Sequence, residues 1–358
     1  MFTAVMMLQL AEEGKISLEE TLDKFFPDIP NAKRITISQM LHHRSGIHSF
    51  TDDSIYLTWM TKPKTEKEML SIISDGKPDF EPGSKYHYSN SNYVLLGYII
   101  EKVCHKPYKE VLKERITSKI GLADTYYGGK TDIKAGESYS YLFENNAWTQ
   151  QPETDLSIPY GAGALLSTPT DLVKFIEVLF DGKLIGGSSL LDMKTMVDGY
   201  GMGMIVLPFY ERKAYGHDGA IDGFNSVLAY FPDDSLAVAY CSNGLGYPMN
   251  NILIGVLSIC FDKPYAIPTF TTISLTTEEL DKYLGVYASS ELPIRITVTK
   301  ENTTLIAQGE GQESFALEAT EKDIFRFDAA GIVMEFQPEK GEFVLEQGGG
   351  VFHFSREK

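Results

Sequence analysis

Cysteine is scarce: Cys104, Cys241 and Cys260 are the three thiols in 358 residues. They are too few and too scattered for a disulfide framework, and the absence of any Cys-x-x-Cys pair excludes a zinc or dithiol redox motif. The expectation is three free, mostly buried thiols. Positive charge is also short. With 32 basic against 49 acidic side chains the chain carries −17, so no excess of cations is available to displace phosphate counterions, and nucleic acid or an anionic membrane surface is excluded as a partner. No apolar run is long enough to span a bilayer, whereas 43% apolar and 12% aromatic residues are ample for a packed core. The length implies a soluble globular protein of two domains. Repeats, low-complexity tracts and phosphate loops are missing as well. Gly201-Met202-Gly203 and Gly348 to Gly350 lack the strand-to-helix setting of a dinucleotide fingerprint.

The first eleven residues, MFTAVMMLQLA, are apolar but have no basic flank, and they run into Glu12-Glu13-Gly14 without a cleavage site. Their spacing predicts a buried helix closed by Gly14 and starting without an N-cap, as if the chain were cut. Further helices are expected over Ile16 to Phe26, Thr36 to His42, Asn92 to Cys104, Tyr108 to Ile120 and Thr170 to Phe180. Strands are expected at Tyr200 to Leu207, Ser226 to Phe231 and Leu236 to Ser242, the last two joined by the turn at Pro232-Asp233-Asp234. The order indicates α+β with a largely antiparallel sheet. A boundary falls near Asp262 to Ile273, around Pro264 and Pro268. Beyond it come seven short extended runs: Arg295 to Thr299, Thr304 to Gln308, Ser314 to Ala319, Phe325 to Asp328, Val333 to Gln337, Glu342 to Glu346 and Val351 to Phe354. They predict a small all-β barrel or sandwich, acidic in itself, with 8 basic and 16 acidic residues over 273–358.

Four patches place polar groups in apolar, turn-forming sequence: Leu41 to Gly46, Glu81 to Asn90, Gly161 to Thr168, and Tyr215 to Ala220 followed by Asp222-Gly223-Phe224. Singly, each reads as an N-cap, a turn or a helix end. Taken in order they resemble the serine β-lactamase and penicillin-recognising enzyme superfamily, in the branch of class C β-lactamases, D-alanyl-D-alanine carboxypeptidases and related esterases. The carrying residues are Phe2-Thr3-Ala4, Leu8 to Gly14, Leu41 to Gly46, Tyr88-Ser89-Asn90 with Leu95-Leu96-Gly97, Gly163 to Thr168 ahead of Asp171, and His217-Asp218-Gly219 with Gly223-Phe224. The resemblance implies a β-lactamase/transpeptidase-like antiparallel sheet flanked by helices over residues 1–262, a linker at 263–272, and a module over 273–358 similar to a lipocalin-like β-barrel.

Family enzymes attack a carbonyl with the serine of Ser-x-x-Lys. In the relatives that motif immediately precedes the match to Phe2-Thr3-Ala4, so the resemblance implies that this chain lacks its nucleophile and an N-terminal segment, leaving an exposed sheet edge and apolar surface. Ser74-x-x-Lys77, in a turn, and Ser355-x-x-Lys358, at the tail of the β module, have the wrong context. By the same resemblance Tyr88 is the general acid/base, its phenol usable where a cation lowers its pKa. Asn90 donates to a substrate carbonyl, and His217 takes the place of the lysine of a Lys-Thr-Gly strand. Gly219 lets substrate lie close, and the Ala220 N–H forms half of an oxyanion hole. His43 is scaffold, and Asp218 is structural, on the opposite face from His217. A metal site from His42, His43 and His48 lacks both His-Glu-x-x-His and a fixed carboxylate, so neither metal nor cofactor is implied. The expected function is acyl-enzyme hydrolysis of an amide or ester, such as a D-amino-acid peptide, a β-lactam or a small ester, inactive without the nucleophile. The alternative is a non-catalytic binder of peptidoglycan-like peptides. Relatives are exported, which implies a periplasmic or extracellular bacterial protein.

Overall fold

The computed structural model describes residues 1–144, 147–265, 272–292, 294–312, 314–327, 330–347 and 350–357. Six residues of the expected linker, 266–271, lie outside these, as do 328, 348–349 and 358, which belong to expected motifs. The chain forms two compact units, Met1–Gly246 and Tyr247–Lys358. This division falls ahead of the Pro-punctuated stretch, because the helix Met249–Cys260 groups with the second unit.

In the first unit, the N-terminal helix Phe2–Glu12 is buried on every face from Phe2 to Leu10, as a helix apolar all round must be. Burial of Met6, Met7, Leu8 and Leu10 contributes about 1.5–3 kcal/mol each. Its polar residues are bonded inward. Thr3 Oγ1 donates to the Gly161 carbonyl and meets Tyr108 Oη at 2.7 Å, and Gln9 Nε2 donates to the Leu184 carbonyl at 3.0 Å. Gly14 closes the helix at φ +66°, its N–H on the Ala11 carbonyl and that of Lys15 on Leu10, the paired bonds of a Schellman ending. The central helix Asn90–Cys104 is likewise buried from Ser91 to Ile100, and it stops at His105, whose φ is +52°. The helix Pro169–Phe180 starts on Thr168, whose hydroxyl accepts the Asp171 N–H at 3.3 Å.

The sheet is a four-stranded antiparallel meander: Ile205–Phe209, Arg212–Ile221, Phe224–Phe231 and Leu236–Ser242. No strand among the described residues of 1–30 joins it, and its edges are the first and last of these strands. Three local expectations are corrected. Ile16 to Phe26 forms only a 3-10 turn at Leu22–Lys24, because Leu22 N–H is taken by the Ile35 carbonyl and Thr21 bridges Thr36. Tyr200 lies before the sheet, in a single bridge to Val197. Cys241 and Cys260 are exposed and Cys104 is half-buried, so the thiols are free but not mostly buried.

Besides the helix Met249–Cys260, the second unit holds a closed barrel of eight antiparallel strands, one more than the sequence signalled. The extra strand, Gly285–Ala288, pairs with both Arg295–Glu301 and Gly350–Arg356 and closes the ring. Alternate residues point inward, so Val298, Leu305, Met334, Phe336, Phe343 and Phe354 fill the interior with Tyr283 and Tyr287. No helix among the described residues is long and apolar enough to cross a membrane.

Candidate active site

Tyr88 and Asn90 flank Ser89, the residue that starts the central helix. Ser89 caps it without its side chain; the local geometry is set by the loop before it and by His43. His43 is 1% exposed, and its Nδ1 accepts the Ser89 N–H at 3.0 Å, while its carbonyl accepts the His87 N–H at 3.0 Å. Its ring stacks on Tyr88 with centroids 4.2 Å apart and on Tyr93 at 5.0 Å. Burial draws its pKa down to about 3, with His217 adding to the effect, so the ring is a neutral shelf under the Tyr88 phenol.

Asn90 is fixed by the loop that follows Gly46. Its N–H donates to Ser49 Oγ and its Nδ2 to Thr51 Oγ1, both at 3.1 Å. Ser91 Oγ donates to the His48 carbonyl at 2.6 Å. That loop is tied to the Tyr88 segment through Asp79, whose carboxylate takes His48 Nδ1 at 2.8 Å and His87 Nδ1 at 3.1 Å. His42, in contrast, turns its Nδ1–H to the Ser38 carbonyl. The three histidines do not converge, and no group of three or more metal-ligating side chains exists among the described residues.

Across the cleft lies the strand Arg212–Ile221. Its neighbour Ile205–Phe209 pairs only as far as Gly216, which leaves 217–221 with a free edge. On the other side a two-residue turn at Asp222-Gly223 makes Ile221 and Phe224 partners. The pair beside such a turn exchanges its own hydrogen bonds, so the next residue back, Ala220, turns its N–H to the free edge. Gly219 sits opposite Ser226, and a Cβ there would come within 2.8 Å of Ser226 Oγ, so the neighbouring strand also favours glycine.

One cleft of about 840 Å³ is lined by Tyr88, Asn90, His217, Asp218, Gly219 and Ala220, with Gly161 to Thr168, bar Ala164, as another wall. All five sequence-assigned site residues are therefore brought together. Asp218, expected on the opposite face from His217, also lines the cleft, and its carbonyl takes His217 Nδ1. Tyr88 is 38% exposed, yet burial pushes its pKa up to about 12, with the charges of Asp218 and Tyr86 acting in the same direction. No lysine or arginine lines the cleft among the described residues. Ser74 is not a substitute nucleophile. It ends the helix Glu66–Asp75, rather than lying in a turn, and its hydroxyl is spent on the Ser71 carbonyl.

Sequence reasoning missed Tyr200, which is 3% exposed and whose hydroxyl lies 2.6 Å from His217 Nε2. Its ring also meets those of His43 and Tyr86, at 4.7 and 5.6 Å. The adjacent Gly201-Met202-Gly203 was its one visible signal, a tight turn that delivers a bulky ring into the site.

A Tyr-x-Asn at a buried helix start thus shares one cleft with the free edge of a His-x-Gly strand on a helix-flanked antiparallel sheet. The Beta-lactamase family model matches residues 1–254, and the chain belongs to that family. It is 28% identical to the putative penicillin-binding protein PbpX of Bacillus subtilis, over 67% of this chain and 59% of that protein. The chain thus spans about three-fifths of that relative's length. Among solved structures, a D-stereospecific amidohydrolase from Streptomyces sp. is 30% identical, with a TM-score of 0.63 over 68% of this chain and 79% of that one. The octameric penicillin-binding protein homologue from Pyrococcus abyssi shares the fold over 99% of this chain and 85% of its own, with 24% identity and a TM-score of 0.66.

Proposed function

We propose that this chain carries the tyrosine, asparagine and strand side of an acyl-transfer site that cleaves an amide or ester: a D-amino-acid peptide, a β-lactam or a small ester. The observation that carries this is the single cleft shared by Tyr88 and Asn90 at one helix start and by His217, Gly219 and Ala220 on one free strand edge. A carbonyl laid along that edge meets the Ala220 N–H, which stabilises the oxyanion of a tetrahedral intermediate. The second amide hydrogen of Asn90 orients the acyl group, the first being held by Thr51. With its pKa near 12, Tyr88 is protonated at neutral pH and serves as the proton donor to the leaving group. The amidohydrolase likeness supports a D-configured substrate.

Neither Ser-x-x-Lys spacing within these 358 residues has the family's context, so the chain as numbered is expected to form no acyl-enzyme by itself. Incubation with a fluorescent penicillin and a fluorophosphonate is expected to leave the chain unlabelled, and covalent labelling of any serine overturns this point. The second reading is a non-catalytic binder of peptidoglycan-like peptides. Placing Ser-x-x-Lys directly ahead of Met1 separates the two: hydrolysis of D-amino-acid peptides, nitrocefin or p-nitrophenyl esters then supports the hydrolase, and binding without turnover supports the binder. By family likeness we place the protein in the periplasm or outside the cell of a bacterium, which cell fractionation checks.

A further inference from the structure

A second, smaller cavity of about 330 Å³ is lined by Tyr141, Trp148, Asn243 and Gly244. One side of it is a hairpin, Tyr141–Glu144 paired with Ala147–Gln150, exposed at every described position but Tyr141. Phe143 and Trp148 are partners across its two strands, with ring centroids 4.9 Å apart. The indole is seated on backbone. A Cβ on Gly244 would stand 2.7 Å from Trp148 Cζ3, and one on Gly246 would stand 3.3 Å from Cζ2, so only glycine at these positions leaves room for the ring. Trp148 is nevertheless 52% exposed, as a plate resting on one face must be.

The lining also carries three polar groups: the indole N–H, the Tyr141 hydroxyl and the side-chain carbonyl of Asn243. None of them has a hydrogen-bond partner among the described residues, whereas the Asn243 amide is already given to the Tyr139 carbonyl at 2.9 Å. No lining residue is charged.

Asn243 lines the larger cleft as well. Tyr141 makes the junction. Its N–H donates to the Asn243 carbonyl at 2.7 Å, and a Cβ on Gly223 would come within 2.5 Å of its carbonyl oxygen. The hairpin therefore stands on the Asp222-Gly223 turn, at the end of the free strand edge that carries Ala220.

These features select an occupant. The cavity is at the small end of ligand sites, which run from about 300 to 1,000 Å³, and four residues fall far short of a protein interface. A charged group would find no counter-charge in the lining. An aromatic ring would cover the indole but leave the hydroxyl, the amide oxygen and the indole N–H against an apolar edge. A pyranose meets both demands, because its C–H face lies on the electron-rich face of the indole and its hydroxyls give and take hydrogen bonds at the rim.

We propose that Trp148, Tyr141 and Asn243 form a site for a neutral sugar ring, and that it serves as a remote subsite of the cleft, holding the glycan part of a ligand whose acyl group lies at Ala220. The sugar site stands on its own observations, while its service to the cleft rests on the acyl-transfer reading.

The test is a titration of the 358-residue chain followed by NMR. The chain has two tryptophans, Trp59 and Trp148, and Trp148→Phe assigns their indole N–H signals. Maltose and N,N′-diacetylchitobiose are expected to move the Trp148 signal saturably and to leave that of Trp59 in place. Read at the Gly244 amide, Trp148→Ala should weaken sugar binding at least roughly tenfold. Tyr141→Phe, which keeps the ring and the backbone bonds, should weaken it at least roughly threefold. Benzyl alcohol is the control: binding at Trp148 as tight as that of the sugars, and indifferent to Tyr141→Phe, overturns the sugar assignment. So does the lack of a saturable shift with either sugar. The tighter sugar, tethered by a flexible linker to a D-alanine dipeptide amide, should also shift Ala220 and bind at least roughly tenfold tighter than the free sugar. No gain on tethering overturns the subsite role. If the dipeptide amide alone moves neither Ala220 nor Tyr88 while the sugars still move Trp148, the acyl-transfer reading fails and the sugar site stands.

Discussion

Gly161 lies where the wall of the cleft meets the central helix, and replacing it with alanine tests how that helix is held. A Cβ on Gly161 would stand 2.6 Å from the Tyr93 carbonyl oxygen, 2.9 Å from Gly97 Cα and 3.2 Å from Gly97 N. All three are backbone atoms of the helix that begins at Asn90, so no side chain can swing aside. The helix must shift, or the turn Tyr160–Gly163 must lift and strain the bond from Thr3 Oγ1 to the Gly161 carbonyl. Overpacking of this kind costs about 1–3 kcal/mol. For a unit of this size each kcal/mol lowers Tm by roughly 2–4 °C, so Gly161→Ala should melt roughly 2–12 °C below the parent in scanning calorimetry. Gly163→Ala is the matched control. Its Cβ would meet only Pro159 Cβ, at 3.4 Å, an ordinary contact, and its Tm should stay within about 1 °C of the parent. If Gly161→Ala melts with the parent, or Gly163→Ala falls as far, the close approach of Gly97 and Gly161 does not set the packing of this helix.

Two further expectations concern protons. Burial holds the His43 pKa near 3, whereas in the unfolded chain it returns to about 6.5. The unfolded state then binds the extra proton, so stability falls as pH drops from about 6.5 towards 3, by up to about 1.4 kcal/mol per pH unit. His43→Gln should remove that part of the slope in urea midpoints, and an identical slope in both proteins counts against a buried neutral His43. For His48, burial lowers the pKa, but hydrogen bonds and charge from Asp79 and Asp53 more than offset this and leave it raised. Its contribution is full below about pH 6.5 and is lost as pH rises through the higher folded value. Asp79→Asn should remove the larger part of that alkaline loss, leaving the share from Asp53; the whole is below about 1 kcal/mol for so open a pair. Melting temperatures between about pH 6 and 8.5 decide it, and parallel curves for the two proteins refute it.

What could be read from the chain was whatever depends on neighbours in sequence. The periodicity of Asn92 to Cys104, the Thr168-Pro169 start and the even spacing of the barrel strands are local patterns, and the structure places elements at each. Ile16 to Phe26 has the same kind of pattern, but its backbone groups are claimed by Ile35 and Thr36, partners that only the tertiary fold supplies. The barrel strand Gly285–Ala288 was not signalled, since a four-residue strand carries too little alternation to announce itself. At the site, Tyr88, Asn90, His217, Gly219 and Ala220 sit in recognisable motifs. Tyr200 does not, because its role comes from reaching a histidine seventeen residues away across a turn. The direction of the Tyr88 shift was not legible, since it is set by burial in the fold, with Asp218 and Tyr86 acting the same way.

The barrel is closed, but not equally so all the way round. Most of its neighbouring strands share registers four to six pairs long, whereas the ring is joined at Gly350–Arg356 and Gly285–Ala288 by Ser355 with Ala288 and Arg356 with Tyr287. This clasp is reinforced by the Arg356 guanidinium, which donates to the Tyr287 hydroxyl at 2.8 Å and to the Lys282 carbonyl. A cylinder that yields does so at its shortest joint. When the barrel breathes, it should unroll from this seam into a curved sheet, with the amide of Glu357, which donates across it to the Val286 carbonyl, exchanging with solvent before those on the far side of the ring.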